Sequence, residues 1–209
     1  YSGGGCVMVG NPDLEPEKSL NFEFGVGYEH PQGYAFGLTW FKSDIDDMMQ
    51  NGVLGRFGGT WYTQQYNIEK GVTEGIEGTF TLPIIDGLTL SGNATYMIES
   101  KNKTTGDRLT MIPEWTANAT LDWRATEKLS TFLSVQHIGK QLYQPLAENA
   151  TNNYVHGNTT FDVGMNFDVH KNLTLRAGVK NFTNNIARTD DDYGEGNGRS
   201  YYAGLTARF

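Results

Sequence analysis

Apolar and polar side chains alternate through most of this sequence, and this period-two pattern limits what the chain can fold into. In residues 20–28, Leu20, Phe22 and Phe24 alternate with Asn21 and Glu23. Successive side chains of a β-strand point to opposite faces, so such a stretch predicts a strand with one apolar and one polar face. The pattern recurs in residues 20–28, 34–40, 62–82, 88–98, 115–123, 129–135, 161–169, 173–179 and 201–209. The sequence therefore predicts an all-β protein of about nine strands.

The connections between these strands alternate in length. Asp86-Gly87 is a strong hairpin signal, and similarly short turns are expected near residues 30–33, 126–128 and 170–172. Long polar loops are expected at residues 51–60, 101–111, 141–158 and 183–199. Short turns on one rim and long loops on the other are typical of outer-membrane barrels. We therefore expect part of an antiparallel transmembrane β-barrel.

Such a barrel should carry its apolar residues on one outer surface. Asn21, Thr116 and Asp122 are predicted to face the lumen, because alternation leaves a strand only two faces. Aromatic residues near strand ends fit girdles at the two membrane interfaces, or else ordinary β-propensity: Tyr28, Tyr34, Trp115 and Trp123. Eight residues are predicted to share the lipid-facing surface: Leu20, Phe22, Phe24, Phe161, Val163, Phe167, Leu173 and Leu205.

Composition is compatible with this fold. The mean hydropathy is −0.48, and no run approaches the ~20 apolar residues of a membrane helix. Barrel strands escape that requirement because only alternate side chains face lipid. With 24 acidic and 16 basic residues the net charge is −8, which argues against a nucleic-acid partner, since phosphate binding needs a basic surface.

We expect the sequence to be part of a longer protein. Bacterial single-chain barrels have even strand numbers, so about nine strands are not expected to close on themselves. Residues 1–5 show no features of a signal peptide, and residues 1–209 show no second domain. Cys6 is the single cysteine. It is either a free thiol or paired outside this sequence, and we expect an upstream partner within the same loop.

Several motifs resemble those of a known family. Residues 10–19, Gly-Asn-Pro-Asp-Leu-Glu-Pro-Glu-Lys-Ser, are similar to the element G-N-P-x-L-x-P-E-x-S that precedes a late barrel strand in TonB-dependent outer-membrane receptors. Residues 96–109, followed by Ile112-Pro113-Glu114, look like a strand and loop of the ferric enterobactin receptor branch. Residues 178–184 resemble G-V-x-N-L-F-D, although Phe-Thr-Asn stands in place of Leu-Phe-Asp. Residues 199–209 look like the family's terminal strand.

The resemblance implies import of a ferric siderophore across the outer membrane, with a catecholate such as ferric enterobactin as substrate. Such receptors close a barrel of about 22 strands around an amino-terminal plug. This chain would supply about nine late strands, without the plug and earlier strands. The implied partners are the siderophore, outer-membrane lipid and lipopolysaccharide, and TonB acting through the plug. Colicins or phages use some relatives, and the sequence leaves their use here open. No cofactor is implied, since iron travels with the substrate.

Two stretches carry the residue types that a ferric catecholate would need. The ligand is anionic and aromatic, so cationic donors attract it while Trp and Tyr rings stack on it. The first stretch holds Arg56, Trp61, Tyr62 and Gln64, with Gln65 beside them, and the second holds Lys101, Lys103 and Arg108. The second group is expected to raise the association rate. The alternative, that these are solvated or lipopolysaccharide-facing loop residues, stays open.

Other functions have weaker support in the sequence. Asp190, Asp191, Asp192 and Glu195 lack the alternating ligand spacing of a calcium loop, which favours a flexible acidic loop. The four histidines show no metal-ligand spacing, and no catalytic triad or phosphate-binding glycine motif is present. We therefore expect neither an enzyme nor a metal site. The remaining alternatives are a passive outer-membrane channel or structural barrel, and a soluble ligand-binding β-barrel.

Overall fold

A computed structural model describes residues 6–144, 153–188 and 194–208. No helix among these residues is long and apolar enough to cross a bilayer. The strands are β1 (Cys6–Val9), β2 (Lys18–Glu29), β3 (Ala35–Phe57), β4 (Thr60–Ile85), β5 (Leu88–Asn102), β6 (Trp115–Arg124), β7 (Leu129–Ile138), β8 (Gln141–Gln144), β9 (Asn153–Val155), β10 (Asn158–His170), β11 (Leu173–Lys180), β12 (Ala187–Arg188), β13 (Gly194–Glu195) and β14 (Ser200–Ala207).

Nine of the strands form one continuous antiparallel path. Their order in the sheet is β14-β11-β10-β7-β6-β5-β4-β3-β2. Strands of this path that are consecutive in the sequence are therefore neighbours in the sheet. The prediction of an antiparallel sheet of about nine strands is confirmed. Within the described residues β2 and β14 form the two edges of this sheet and do not pair with each other.

Cross-strand register confirms that the predicted apolar residues share one face. Phe24, for example, lies opposite Trp40, which lies opposite Ile76. Following such pairs across all nine strands places the eight predicted residues on one face, which we call the apolar face. Asn21, Thr116 and Asp122 lie on the opposite, polar face.

The apolar face is exposed, as a lipid-facing surface would be. Phe24 is 73% exposed and Leu205 is 65% exposed, although both belong to a continuous apolar surface of a kind that soluble proteins rarely leave open. The buried hydrophobic residues among those described lie toward the loop rim, in the long strand β4, in the loop that follows β5 and in the β8–β9 hairpin: Ile68, Val72, Leu109, Leu142 and Val155. The sheet therefore has no apolar core of its own across its middle.

The connections lie at two rims. Tight turns at residues 30–33, 86–87, 125–128 and 171–172 form the turn rim. The longer connections form the loop rim, where the predicted loops at residues 141–158 and 183–199 contain the short hairpins β8–β9 and β12–β13.

The predicted loop at residues 51–60 is wrong. Instead β3 and β4 continue as a paired hairpin to a turn at Gly58 and Gly59, whose φ angles are 55° and 85°. Two consecutive positive φ angles match the twist of a tight hairpin turn, and glycine adopts them without steric cost. Gly55, at φ 141°, lies at a bulge in β3. The polar segment predicted as a loop instead forms the end of an extended hairpin.

The strand β1 was not predicted, and it is parallel to its partner. Cys6–Val9 pair with residues 61–64 of β4. This edge of β4 is available because β5 pairs with β4 only from Gly71 onward. Cys6 is exposed, and its Sγ lies 4.0 Å from the Thr63 Oγ1. Its disulfide with an upstream cysteine stays a prediction.

Candidate functional site

The β3–β4 hairpin projects beyond its neighbouring strands at the loop rim. β2 pairs with β3 no further than Asp46, and β5 pairs with β4 only from Gly71. Residues 48–68, which we call the hairpin tip, therefore extend past both neighbours. Arg56 is the only charged residue in this stretch. The hairpin tip is thus a mostly uncharged projection with one positive charge on a chain of net charge −8.

Arg56 and Trp61 come together at the end of the hairpin tip. They are cross-strand partners, and the Arg56 Cζ lies 5.8 Å from the centroid of the Trp61 ring. The Arg56 Nε donates a hydrogen bond to the Gly59 carbonyl oxygen at 3.3 Å. Among the described residues Arg56 forms no ion pair. The pair presents guanidinium donors beside an indole that is 46% exposed, which suits an aromatic anion.

The other predicted residues of this stretch have structural contacts. Tyr62 packs edge-on against Phe57, with ring centroids 5.7 Å apart. The Gln64 Nε2 donates to the Gly10 carbonyl oxygen at 3.0 Å, and the Gln65 carbonyl oxygen accepts from the Asn11 Nδ2 at 3.0 Å. The structure therefore joins Arg56 to Trp61, whereas the glutamines hold the chain that follows β1.

That chain, residues 10–17, crosses the hairpin tip and is called the crossing segment. Because β1 pairs with β4 while β2 pairs with β3, the segment between them must pass over one face of the hairpin. Asn67 anchors it: the Asn67 Oδ1 accepts from the Glu15 N–H at 2.8 Å, and the Asn67 Nδ2 donates to the Glu15 carbonyl oxygen at 2.9 Å. The Met49 N–H donates to the Glu17 Oε2 at 3.1 Å. The Asn-Pro-Asp-Leu-Glu-Pro motif thus leads directly into β2 and spans the hairpin on the way.

The second predicted group lies apart from the hairpin tip, at the end of β5 and in the loop after it. The Asp44 carboxylate accepts a hydrogen bond from Lys103, and this raises the pKa of the Lys103 ammonium. Each of the three basic side chains has a carboxylate partner: Lys101 with Glu99, Lys103 with Asp44 at 2.7 Å, and Arg108 with Glu114 at 2.7 Å. Their positive charge is therefore offset locally.

A bulge in β5 sets the direction of these side chains. Gly75 pairs with Met97 but Glu74 pairs with Glu99, so Ile98 is the extra residue. The bulge places Lys101 opposite Val72, on the apolar-face side, and Arg108 forms a bridge opposite Lys101. Lys101 and Arg108 therefore point outward with the apolar face. Without the bulge, strict alternation along β5 would instead place Lys101 on the polar face.

Most of the predicted acidic loop lies outside the described residues: Asp190, Asp191, Asp192 and the side chain of Glu195. Among the side chains that the structure describes, no three from His, Cys, Asp and Glu come together in a metal-binding arrangement.

Comparison with known proteins assigns the family. The family model described as TonB dependent receptor-like, beta-barrel matches residues 1–182. The ferrienterobactin receptor of Escherichia coli K12 is 37% identical over 220 residues, covering 99% of this chain and 29% of that protein. The chain belongs to the TonB-dependent receptor β-barrel family. The ferric enterobactin receptor of Pseudomonas aeruginosa is 35% identical, covering 98% of this chain and 31% of the relative.

Solved structures of TonB-dependent receptors have the same fold. A variant of the Pseudomonas aeruginosa ferric enterobactin receptor in complex with enterobactin has a TM-score of 0.76 at 35% identity, covering 97% of this chain and 33% of the solved chain. The siderophore receptor PirA of Acinetobacter baumannii has a TM-score of 0.77 at 27% identity, covering 98% of this chain and 33% of that structure. The chain spans about a third of the length of the relatives it matches.

Membership in this family fixes the orientation of the sheet. TonB-dependent receptors are outer-membrane β-barrels, so the exposed apolar face of this partial barrel faces lipid and the polar face faces the lumen. The loop rim is the extracellular rim, since outer-membrane barrels carry their longer loops outside. The relatives are receptors and transporters.

Proposed function

We propose that the receptor carrying this chain imports a ferric siderophore of the catecholate class across the outer membrane, with energy delivered through TonB to the plug. The observation that carries the proposal is the Arg56–Trp61 pair at the extracellular end of the hairpin tip. Among the described residues Arg56 has no carboxylate partner, and it lies beside the exposed ring of Trp61. Two matched relatives are named for the same class of ligand.

This chain would contribute late barrel strands and the outermost contact with the ligand. This chain has a net charge of −8 and so repels an approaching anion, which means that a local positive site favours productive encounter. The guanidinium supplies hydrogen bonds to the catecholate oxygens, and the indole stacks against a catechol ring. Iron is cargo in this scheme, and TonB acts through the plug, which is not among residues 1–209.

Lys101, Lys103 and Arg108 remain candidates for drawing in the ligand from a distance. We expect a smaller contribution from them than from Arg56, because each has a carboxylate partner and because the β5 register directs Lys101 and Arg108 outward. A passive channel, the alternative function, would not need a cation and an indole held together at its extracellular end.

The test is binding of an iron-loaded tricatecholate to the complete receptor, measured for wild type, Arg56→Gln, Trp61→Ala and Arg124→Gln. The last variant removes one positive charge at the opposite rim and serves as the matched control. A hydrogen bond to a charged group contributes about 1.5–3 kcal/mol, so Arg56→Gln should weaken binding about tenfold or more. The control should bind as wild type does.

The salt dependence separates attraction at a distance from contact. Screening shortens the Debye length to about 8 Å at physiological ionic strength, so any effect of Arg56→Gln on the association rate should shrink as salt is added. An effect on dissociation should persist. Wild-type receptor that binds no ferric catecholate would refute the substrate class. Unchanged binding by Arg56→Gln would refute only the role of the hairpin tip.

A further inference from the structure

Two aromatic rings lie against the polar face near the β14 edge of the sheet. Phe132, Gly164, Gly178 and Tyr202 are successive cross-strand partners in one row. A Cβ at Gly164 would lie 2.7 Å from the Phe132 Cζ and 2.5 Å from the Tyr202 Oη. The two rings therefore converge over the glycines, and Tyr202 remains 38% exposed.

Two cations flank these rings on β11. Lys180 and Arg176 lie on the same face as Gly178, one on each side of it along the strand, and a step of two residues is about 7 Å. Both side chains are exposed, and neither forms an ion pair within the described part of the chain. We call Phe132, Arg176, Lys180 and Tyr202 the inner strip.

The carboxylates of the neighbouring strands leave these cations available. The Asp162 Oδ1, next to Lys180 on β10, accepts a hydrogen bond from the Asn181 N–H at 2.7 Å. The Asp168 Oδ1 accepts from the Thr174 Oγ1 at 2.6 Å. Asp122 lies on β6 beyond Phe132, three strands away from β11. The ammonium and guanidinium donors can therefore bind a ligand.

Charge is divided across the polar face. The paired residues of β2 to β5 that the structure describes carry three carboxylates and no cation on this face: Glu23, Glu29 and Glu77. The paired residues of β11 and β14 carry Arg176 and Lys180 there and no carboxylate. An anion inside the lumen is therefore repelled from one part of the wall and attracted to the inner strip.

The inner strip also runs along the route that a ligand would take. Lys180 is the last residue of β11 at the loop rim, and Arg176 lies four residues closer to the turn rim. Between them the exposed part of the Tyr202 ring can stack on an aromatic ligand. The cations can donate charge-assisted hydrogen bonds to its oxygens. The strip thus offers both of the interactions that an aromatic anion needs.

We propose that the inner strip is a transit site in the lumen wall that binds the ferric catecholate after it has left the hairpin tip. The site lowers the free energy of an anion within a lumen that is otherwise rich in carboxylates. The inference rests on the proposed function, because it takes the same ligand class. It assigns the Arg56–Trp61 pair to capture and the inner strip to passage.

The test measures uptake of iron-55 from a ferric tricatecholate by cells that produce the complete receptor as their only catecholate receptor. The test variant combines Arg176→Gln and Lys180→Gln. A charge-retaining variant combines Arg176→Lys and Lys180→Arg. The matched control, Lys128→Gln with Lys171→Gln, removes two positive charges from the turn rim. Surface binding is measured in cells without TonB, and the gel mobility shift on heating establishes that each barrel is folded.

The test variant should take up iron with a maximal rate about tenfold lower than wild type, which corresponds to about 1.4 kcal/mol. Its surface binding and its half-saturating concentration should not change, because the hairpin tip is intact. The charge-retaining variant should recover most of the rate, and the control should match wild type. If the test variant does not fold, Lys180→Gln alone should lower the maximal rate about threefold.

An unchanged maximal rate in the folded test variant would overturn this inference and leave the proposed function standing. An equal loss in the control would also overturn it, since net charge would then be the cause. A loss that the charge-retaining variant does not restore would assign the strip to packing against the plug. Wild-type cells that neither bind nor take up a ferric catecholate would refute the proposed function and the transit site together.

Discussion

Two glycines on the polar face allow an aromatic ring to lie against the barrel wall. Phe132, Gly164, Gly178 and Tyr202 form one cross-strand row over β7, β10, β11 and β14. A Cβ at Gly178 would lie 2.5 Å from the Tyr202 Cζ, and one at Gly164 would lie 2.5 Å from the Tyr202 Oη. The ring of Tyr202 therefore occupies the space that two side chains would fill.

We predict that Gly178→Ala destabilises the receptor by about 1–3 kcal/mol, because the added methyl overpacks against the ring. Gly204→Ala is the control: Gly204 lies on the same face, and a Cβ there would meet nothing within 4 Å. Urea unfolding of both variants gives the comparison. Equal midpoints for the two variants would show that the ring adjusts without cost.

Asn181 organises the start of the last extracellular loop. It is buried, and it has a positive φ of 48°. Its Nδ2 donates to the Asn185 and Asn197 carbonyl oxygens at 2.7 and 3.1 Å, and its Oδ1 accepts from the Asn185 N–H at 2.9 Å. The family-like motif Gly-Val-Lys-Asn thus ends on a residue that ties two loop positions, Asn185 and Asn197, to the end of β11.

We predict that Asn181→Ala lowers stability by about 4 kcal/mol. About 3 kcal/mol comes from the three lost hydrogen bonds, at about 1 kcal/mol each, and about 1 kcal/mol comes from the left-handed backbone strain that alanine adds. Asn181→Gly loses the same hydrogen bonds without that strain, so it should be the milder variant. Thermal unfolding and loop proteolysis measure the difference. A glycine variant as unstable as the alanine variant would contradict the backbone contribution.

The hairpin tip and crossing segment form the element that is least visible in the sequence. β1 and β4 are more than 50 residues apart, and their pairing depends on the edge of β4 that β5 leaves open. Asn67 holds the crossing segment through both backbone groups of Glu15. The position of the hairpin tip therefore depends on a chain that lies upstream of β2.

We predict that Asn67→Ala releases the crossing segment without unfolding the sheet, because the backbone groups of Glu15 lose both hydrogen bonds to Asn67. Hydrogen exchange at the Glu15 amide should accelerate at least tenfold, since about 1.4 kcal/mol of lost protection corresponds to a factor of ten. Exchange in β10 should not change. Asn166→Ala, within β10, is the matched control and should leave the Glu15 amide protected. An unchanged Glu15 amide in Asn67→Ala would contradict the anchoring role.

Alternation was sufficient to predict the sheet, because one buried or lipid-facing surface fixes the direction of every second side chain. Alternation gave wrong predictions where a tight turn or a β-bulge interrupts a strand. Residues 51–60 were predicted as a polar loop, although Gly55, Gly58 and Gly59 permit a bulge and a tight turn within a paired hairpin. The bulge at Ile98 shifts the alternation of β5 by one residue. The outward direction of Lys101 therefore could not be read from the sequence.

At the scale of the whole molecule, the two faces of the sheet have different roles. The apolar face contacts the membrane, whereas the polar face lines the lumen through which a ligand would pass. Arg56 and Trp61 were predicted, together with Tyr62 and Gln64, as one candidate binding stretch from their chemistry, and the structure brings Arg56 and Trp61 together. Their separation from Lys101, Lys103 and Arg108 required the three-dimensional register.

The most direct test of the account is uptake of iron-55 from a ferric catecholate by cells that produce the complete receptor as their only catecholate receptor, with and without TonB. We predict saturable uptake that is lost when TonB is deleted, because the proposed function requires energy delivered through TonB to the plug. Uptake that continues unchanged without TonB would instead indicate a passive channel. Absence of uptake for every ferric catecholate, with the receptor folded in the outer membrane, would contradict the proposed substrate class.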